Sequence, residues 1–217
     1  MAGRSQDFFS GLQPNDVWLV KTDLLGNIEW SRTYGGSHSD EAYSLIQMPD
    51  GGYAMAGSTI SFGAGNYDFY LVKTDAYGNL EWNQTYGGAE FEAVHSLVET
   101  FDGGYAMAGR TKSFGSGGND FYLVKTDSNG NMLWDRTYGG EQYDSANSII
   151  VTSDGGYAIA GGTSSFGSGD TDFWLIKTDE YGNIPEFPSW IILPLFLTAT
   201  LVIVFFRKSL KKSGNIL

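Results

Sequence analysis

The 217-residue chain contains no cysteine, which excludes disulfide bridges and thiolate metal sites and leaves packing alone to hold the fold. Histidine is almost as scarce. His38 and His95 are the only two, too few for a multi-histidine metal centre and poorly placed for a His-based triad; both are expected to be surface or loop residues. Basic residues are few as well: 13 Lys and Arg stand against 25 Asp and Glu. The imbalance is uneven along the chain, because Arg207, Lys208, Lys211 and Lys212 all follow Asn183. Residues 1–183 therefore carry a net charge of −15 and the remainder +3. An acidic body repels phosphate backbones, which argues strongly against nucleic-acid binding as the main function. No long apolar run occurs before residue 190.

What is abundant is glycine, with 30 residues, and aromatic side chains, at 15%. This composition suits short strands joined by tight turns and points to an all-β fold. Self-similarity is the dominant signal. The segment starting at Asp16 recurs at Asp68, Asp120 and Asp172, a spacing of 52 residues each time. DVWLVKTDLLGNIEWSRTYGG, DFYLVKTDAYGNLEWNQTYGG and DFYLVKTDSNGNMLWDRTYGG align without gaps, each followed by a variable stretch and then by DGGYAMAG or DGGYAIAG. The units are 16–67, 68–119 and 120–171, flanked by partial units 1–15 and 172–183.

Each unit is predicted to hold four strands, illustrated by Phe69 to Thr74, about Leu80 to Tyr86, about Ala93 to Glu99 and Tyr105 to Thr111. Asp75 to Asn79 forms a short hairpin loop in which Gly78 or Asn79 takes positive φ, and Asp102-Gly103-Gly104 is a second tight turn. The third strand alternates apolar and polar residues less cleanly than the others. In the first, Phe69 and Leu71 lie opposite Tyr70 and Val72, so both faces are apolar and both are expected to be covered. Trp30, Trp82 and Trp134 recur in register and are expected to fill one inter-unit gap each and to dominate the packing.

Four short strands in about 50 residues is the size of a propeller blade, and a blade buries its faces only against neighbours. The pattern GGYxxAGST...SFG...DFYLVKTDxxGN, present here from residue 1 to 183, resembles the tandem repeats of bacterial and archaeal surface proteins, for which β-propeller folds are inferred. The resemblance implies a β-propeller, here a partial one, and a cell-surface location. Met1-Ala2-Gly3-Arg4 matches Met107-Ala108-Gly109-Arg110, so the chain is expected to begin inside a fourth strand, with further repeats before Met1. The resulting fourteen strands fall short of four blades of four, so they are not expected to close a ring alone; a solenoid or open array is the alternative.

After Asn183 the composition changes. Residues 184–189 are a Pro-rich linker, residues 190–206 are seventeen uncharged residues, and 207–217 are basic. Seventeen helical residues span about 25 Å, at the short end for a bilayer core and extended by snorkelling from Arg207 and Lys208. A single transmembrane helix is expected, its basic end cytoplasmic and the repeats outside. Pro185-Glu186-Phe187, the apolar run and the basic end together are similar to archaeal C-terminal sorting signals of the PEF type. That resemblance implies recognition at Pro185, Glu186 and Phe187 and a helix exchangeable for a lipid anchor.

Other motifs carry little chemistry. Asp23, Asp75, Asp127 and Asp179 open Asp-x-x-Gly-Asn loops that turn formation explains, with Ca2+ as the functional alternative; the alternating acids of an EF-type loop are lacking. No cofactor is otherwise implied. Ser61-Phe-Gly-Ala-Gly65 and its counterparts at 113 and 165 are followed by neither a Lys-Ser/Thr pair nor a helix, which argues against phosphate binding. Asn83-Gln84-Thr85 is a lone glycosylation sequon. Paired carboxylates for glycoside cleavage would need to break the repeat, and the acids follow it. The expectation is a non-catalytic, membrane-anchored surface scaffold or adhesion module contacting protein or glycan through loops, with Tyr77, Tyr181 and Phe91 as sugar contacts. The alternative is a fragment of a polysaccharide-active surface enzyme whose catalytic residues precede Met1.

Overall fold

In the computed structural model, which describes residues 2–5 and 15–185, the fold is all-β. Fourteen strands form four antiparallel sheets. Sheet I holds β1 (Ala2–Ser5), β2 (Asp16–Thr22) and β3 (Ile28–Tyr34). Sheet II holds β4 (Asp40–Gln47), β5 (Tyr53–Thr59), β6 (Asp68–Thr74) and β7 (Leu80–Tyr86). Sheet III repeats that order with β8 (Glu92–Glu99), β9 (Tyr105–Thr111), β10 (Asp120–Thr126) and β11 (Met132–Tyr138). Sheet IV has β12 (Asp144–Val151), β13 (Tyr157–Thr163) and β14 (Asp172–Thr178). All belong to the unit Met1–Asn183.

The strands match the sequence expectation to within a residue, and β1 pairs with β2 in the register that β9 keeps with β10. The sheets are nevertheless out of phase with the repeat. Unit 16–67 supplies β2 and β3 to sheet I and β4 and β5 to sheet II, so each unit is divided between neighbouring sheets. The irregular alternation of the third strand also has a cause. Val94 pairs with Gly109 and Ser96 with Ala108, leaving His95 as the extra residue of a β-bulge. Tyr43 and Asn147 occupy the same bulge in β4 and β12.

Apolar residues on both faces of the central strands build three cores, one per sheet junction. Val17 and Leu19 of sheet I meet Met55, Tyr70 and Val72 of sheet II. The opposite face of sheet II, with Ala54, Ala56, Phe69 and Leu71, meets Tyr105, Met107, Tyr122 and Val124 of sheet III. Ala106, Ala108, Phe121 and Leu123 then meet Tyr157, Ile159 and Ile176 of sheet IV. We call the face toward the following sheet forward and the other rearward. All seven residues of β6, and all seven of β10, are buried, as strands covered on both faces require.

The tryptophans are at these junctions but are not the largest buried groups. Trp30, Trp82 and Trp134 are half-buried, each edge-on to a tyrosine of the next sheet: Tyr53, Tyr105 and Tyr157. Their indole edges reach the next hairpin turn, so part of each ring stays at the surface. Tyr70, Tyr105, Tyr122, Tyr157, Phe69 and Phe121 are the large side chains that are fully buried.

Along one margin β4, β8 and β12 approach each other in sequence, whereas β3, β7 and β11 make no comparable approach. The sheets thus fan out from the β4–β8–β12 line. The apolar run 190–206 and Glu186 and Phe187 lie outside the described residues; among the described residues no helix is long and apolar enough to cross a membrane.

Candidate functional site

Most of the repeated polar residues are engaged in holding the fold. Asp75 Oδ1 accepts hydrogen bonds from the Tyr77 and Asn79 N–H groups, at 2.8 Å each, and Oδ2 accepts from Asn79 Nδ2 at 2.7 Å. Asp23, Asp127 and Asp179 do the same. The Asn side-chain bond holds the Asp23, Asp75 and Asp127 carboxyls below their ordinary range. Gly78 takes the positive φ of this loop, at 76°, and its carbonyl accepts the Tyr34 hydroxyl of the previous sheet at 2.7 Å. Tyr86 and Tyr138 make the equivalent bonds to Gly130 and Gly182.

The lysines of the VKTD segment form a second repeated device. Lys73 is 5% exposed and bonds Asp50 and Glu81 at 2.8 Å each, and the Thr74 carbonyl at 3.0 Å. Lys125 and the more exposed Lys177 bond Asp102 and Asp154 and the Thr126 and Thr178 carbonyls, with no counterpart of Glu81. Burial pushes the Asp102 carboxyl up, but bonds from the Thr100 hydroxyl and the Lys125 ammonium outweigh it and hold the group at about 2.

Paired carboxylates do occur, and they follow the repeat. Asp16 and Asp40, Asp68 and Glu92, and Asp120 and Asp144 meet across the three sheet junctions, close enough that a side chain on Gly35, Gly87 or Gly139 would collide with both members. This close approach explains the first glycine of each Tyr-Gly-Gly. Asp40, Asp68, Glu92, Asp120 and Asp144 are at most 2% exposed. Glu92 accepts from Gly88 N, Thr111 Oγ1 and Ser113 N at 2.7–3.1 Å. Desolvation, opposed by a backbone bond and reinforced by the facing acid, raises the Asp68 and Asp120 carboxyls. Each pair thus sets two acids against one another at a sheet junction. Among the described residues no group of three or more His, Asp or Glu is placed to hold a metal ion.

Against this regular background two columns of residues break the repeat. The first is the bulge row Tyr43, His95 and Asn147 on the converging strands. His95 is a half-buried strand residue rather than a loop residue; its Nδ1 donates to the Ala146 carbonyl of the next sheet at 2.8 Å, and its ring stands edge-on to Tyr43. His38, by contrast, is exposed between β3 and β4. The second column centres on Arg110, where sheet I has Arg4 and sheets II and IV have Ser58 and Gly162. Its guanidinium lies 5.0 Å from the Phe91 ring centre and 5.5 Å from that of Tyr143, and it donates to the Tyr143 hydroxyl. Tyr67 extends the cluster, 5.3 Å from Phe91. Arg110 Nε is buried with no hydrogen-bond partner, and Tyr143 is 41% exposed.

Of the aromatics expected to contact a ligand, Tyr77 and Tyr181 are exposed on their hairpin loops and stand apart from this cluster, while Phe91 is half-buried within it. Arg110, Tyr67 and Tyr143 escaped the sequence reading. The signal was available as variation within the repeat: Arg4, Ser58, Arg110 and Gly162 in one column, Ser39, Phe91 and Tyr143 in another.

The architecture defines a tandem-repeat all-β protein whose recurring polar groups serve turns and junctions. No protein-family model matches the chain. It is similar to the regulatory protein FlaEY of Caulobacter vibrioides, 28% identical over 162 residues, which is 63% of this chain. The chain spans 17% of the length of that relative.

Proposed function

We propose that this chain is a membrane-anchored surface repeat protein that works by binding rather than by catalysis, its sheets being blades of a partial β-propeller. The observation carrying the binding reading is the Arg110 cluster. A guanidinium set between two aromatic rings, with no carboxylate partner among the described residues, is a local cation in an otherwise acidic body and suits a single carboxylate group of a ligand. The adjacent Tyr143 and Phe91 faces suit a sugar ring, which makes an acidic surface glycan the favoured class. The fan of sheets from the β4–β8–β12 line supports the propeller reading, because blades radiate from their innermost strands.

The apolar run at 190–206 with its basic end supports a single membrane span, repeats outside and C-terminus cytoplasmic, and Pro185, Glu186 and Phe187 are the proposed sorting tripeptide. Protease treatment of intact cells should digest the repeats while sparing a tag after Leu217.

The binding reading is tested by titrating the protein with an acidic polysaccharide such as polygalacturonate and with its neutral methyl ester. Saturable binding of the acidic form, lost in Arg110→Ala, is expected. Equal binding of both polymers, or no effect of Arg110→Ala, would remove the cluster from the site. Release of new reducing ends would instead support the polysaccharide-active enzyme.

A further inference from the structure

Between the forward face of sheet III and the rearward face of sheet IV lies a cleft of about 300 Å3, at the opposite end of β9 from Arg110. Its lining differs from the preceding junction at four positions, each time toward an aromatic or aliphatic side chain. Phe101 stands where sheet II has Pro49, and Leu133 where it has Glu81. On the sheet IV side, Val151 and Tyr181 stand where sheet III has Glu99 and Asn129. Phe101, Leu133 and Tyr181 are 76%, 55% and 58% exposed. Their exposure does not depend on where the repeats stop. Phe101 and Leu133 belong to sheet III, which is packed on both faces, and Tyr77, the counterpart of Tyr181 in the equally enclosed sheet II, is 71% exposed.

Charge in the cleft is unbalanced. Lys125 directs its three ammonium protons to both Asp102 oxygens, at 2.9 and 3.0 Å, and to the Thr126 carbonyl at 2.7 Å. The lysine is thereby neutralised, and Glu180 is left as the surplus anion of the lining. Glu180 lies beside the Tyr181 hydroxyl and raises it. Burial, then the Asp102 and Glu180 charges, push the Tyr157 hydroxyl of the same cleft up to about 12. Arg136 covers the Trp134 ring at 5.4 Å and is not part of the lining, so the ring faces open to a ligand are those of Phe101 and Tyr181. Aromatic faces beside a surplus carboxylate attract an organic cation. An ammonium with N–H donors would need acceptors, and Lys125 already holds both oxygens of Asp102; a quaternary ammonium needs none. We propose that the cleft binds a quaternary ammonium group against Phe101 and Tyr181, with Glu180 supplying the opposite charge and Leu133 and Val151 packing the alkyl part. The site is separate from the Arg110 cluster and does not depend on what that cluster binds.

The test titrates the full chain, in a non-ionic detergent, with choline chloride, using saturation-transfer NMR at the trimethylammonium protons and calorimetry. Saturable binding is expected, roughly tenfold or more tighter than that of dimethylbutanol, the isostere in which carbon replaces the charged nitrogen. Tyr181→Asn and Glu180→Ser install the residues that sheet III carries at the same loop positions, Asn129 and Ser128, so the hairpin accommodates both. Each should weaken choline binding roughly five- to tenfold, with unchanged circular dichroism. Equal binding of choline and its neutral isostere would overturn the proposal by reducing the cleft to an apolar one. Choline affinity untouched by both substitutions would overturn it as well, by placing the cation elsewhere. Tighter binding of N-acetyl-lysine methylamide than of choline would assign the cleft to a lysine side chain of a partner protein instead. A folded chain that binds no choline would refute the site outright.

Discussion

One leucine occurs at the same place in all four sheets, as Leu19, Leu71, Leu123 and Leu175, and in the last three its replacement by alanine should cost very different amounts. Leu71 and Leu123 are 0% exposed, sandwiched between sheets, and Leu175 is 61% exposed. Truncating a fully buried leucine removes its burial free energy and leaves a cavity, costing about 2–5 kcal/mol, whereas an exposed position away from special features changes stability by about 0.5 kcal/mol or less. For a domain of this size 1 kcal/mol moves Tm by roughly 2–4 °C. Leu71→Ala and Leu123→Ala should therefore lower Tm by at least about 4 °C, and Leu175→Ala by no more than about 2 °C. Thermal unfolding followed by tryptophan fluorescence, in a dilute sample where copies are separate, provides the comparison. Equal losses at the three positions would refute the open-ended stack, because Leu175 would then have to be covered as Leu71 is.

Glycine at the hairpin loops offers a second comparison. Gly26 and Gly78 both have positive φ, but an added Cβ meets nothing within 4 Å at Gly26 and lies 2.7 Å from the Trp30 ring at Gly78. Gly26→Ala should cost about 1 kcal/mol from the backbone alone, and denaturant titration should find Gly78→Ala clearly worse. Tyr86→Phe removes the 2.6 Å hydroxyl bond to the Gly130 carbonyl and should cost about 1 kcal/mol, with the same measurement showing whether that junction bond matters. Acid titration should separate two kinds of carboxyl. The depressed Asp102 adds stability above its unfolded pKa of roughly 3.9, lost as pH falls toward 2, and Lys125→Met should shrink this acid-side loss. Asp68 is raised, so its ionisation opposes folding as pH rises above the unfolded value. Asp68→Asn should accordingly flatten the decline on that side.

The strand pattern was legible in the sequence because each apolar run ends at a residue with a fixed geometric task, as at Asp75–Asn79. The sheet boundaries were not. A repeat has no intrinsic starting point, and whether β3 is followed by a new sheet depends on Gly35 and Gly36, whose close contacts with Asp16, Asp40 and Ser61 exist only after folding. The carboxylate pairs were hidden for the same reason: Asp68 and Glu92 lie far apart in sequence and meet across a junction. Arg110 differs. Its column, Arg4, Ser58, Arg110 and Gly162, was readable as a variable one, but the placement of Arg110 between Phe91 and Tyr143 required the register of three strands and loops.

The half-unit offset between repeat and sheet bears on how such a gene can change length. Because each 52-residue period is split between adjacent sheets, unequal recombination that inserts or deletes one period, wherever the crossover falls, adds or removes one complete sheet and one complete junction. No crossover point leaves a strand without its neighbour. Such a change alters the array by whole sheets, each arriving with the junction that covers it.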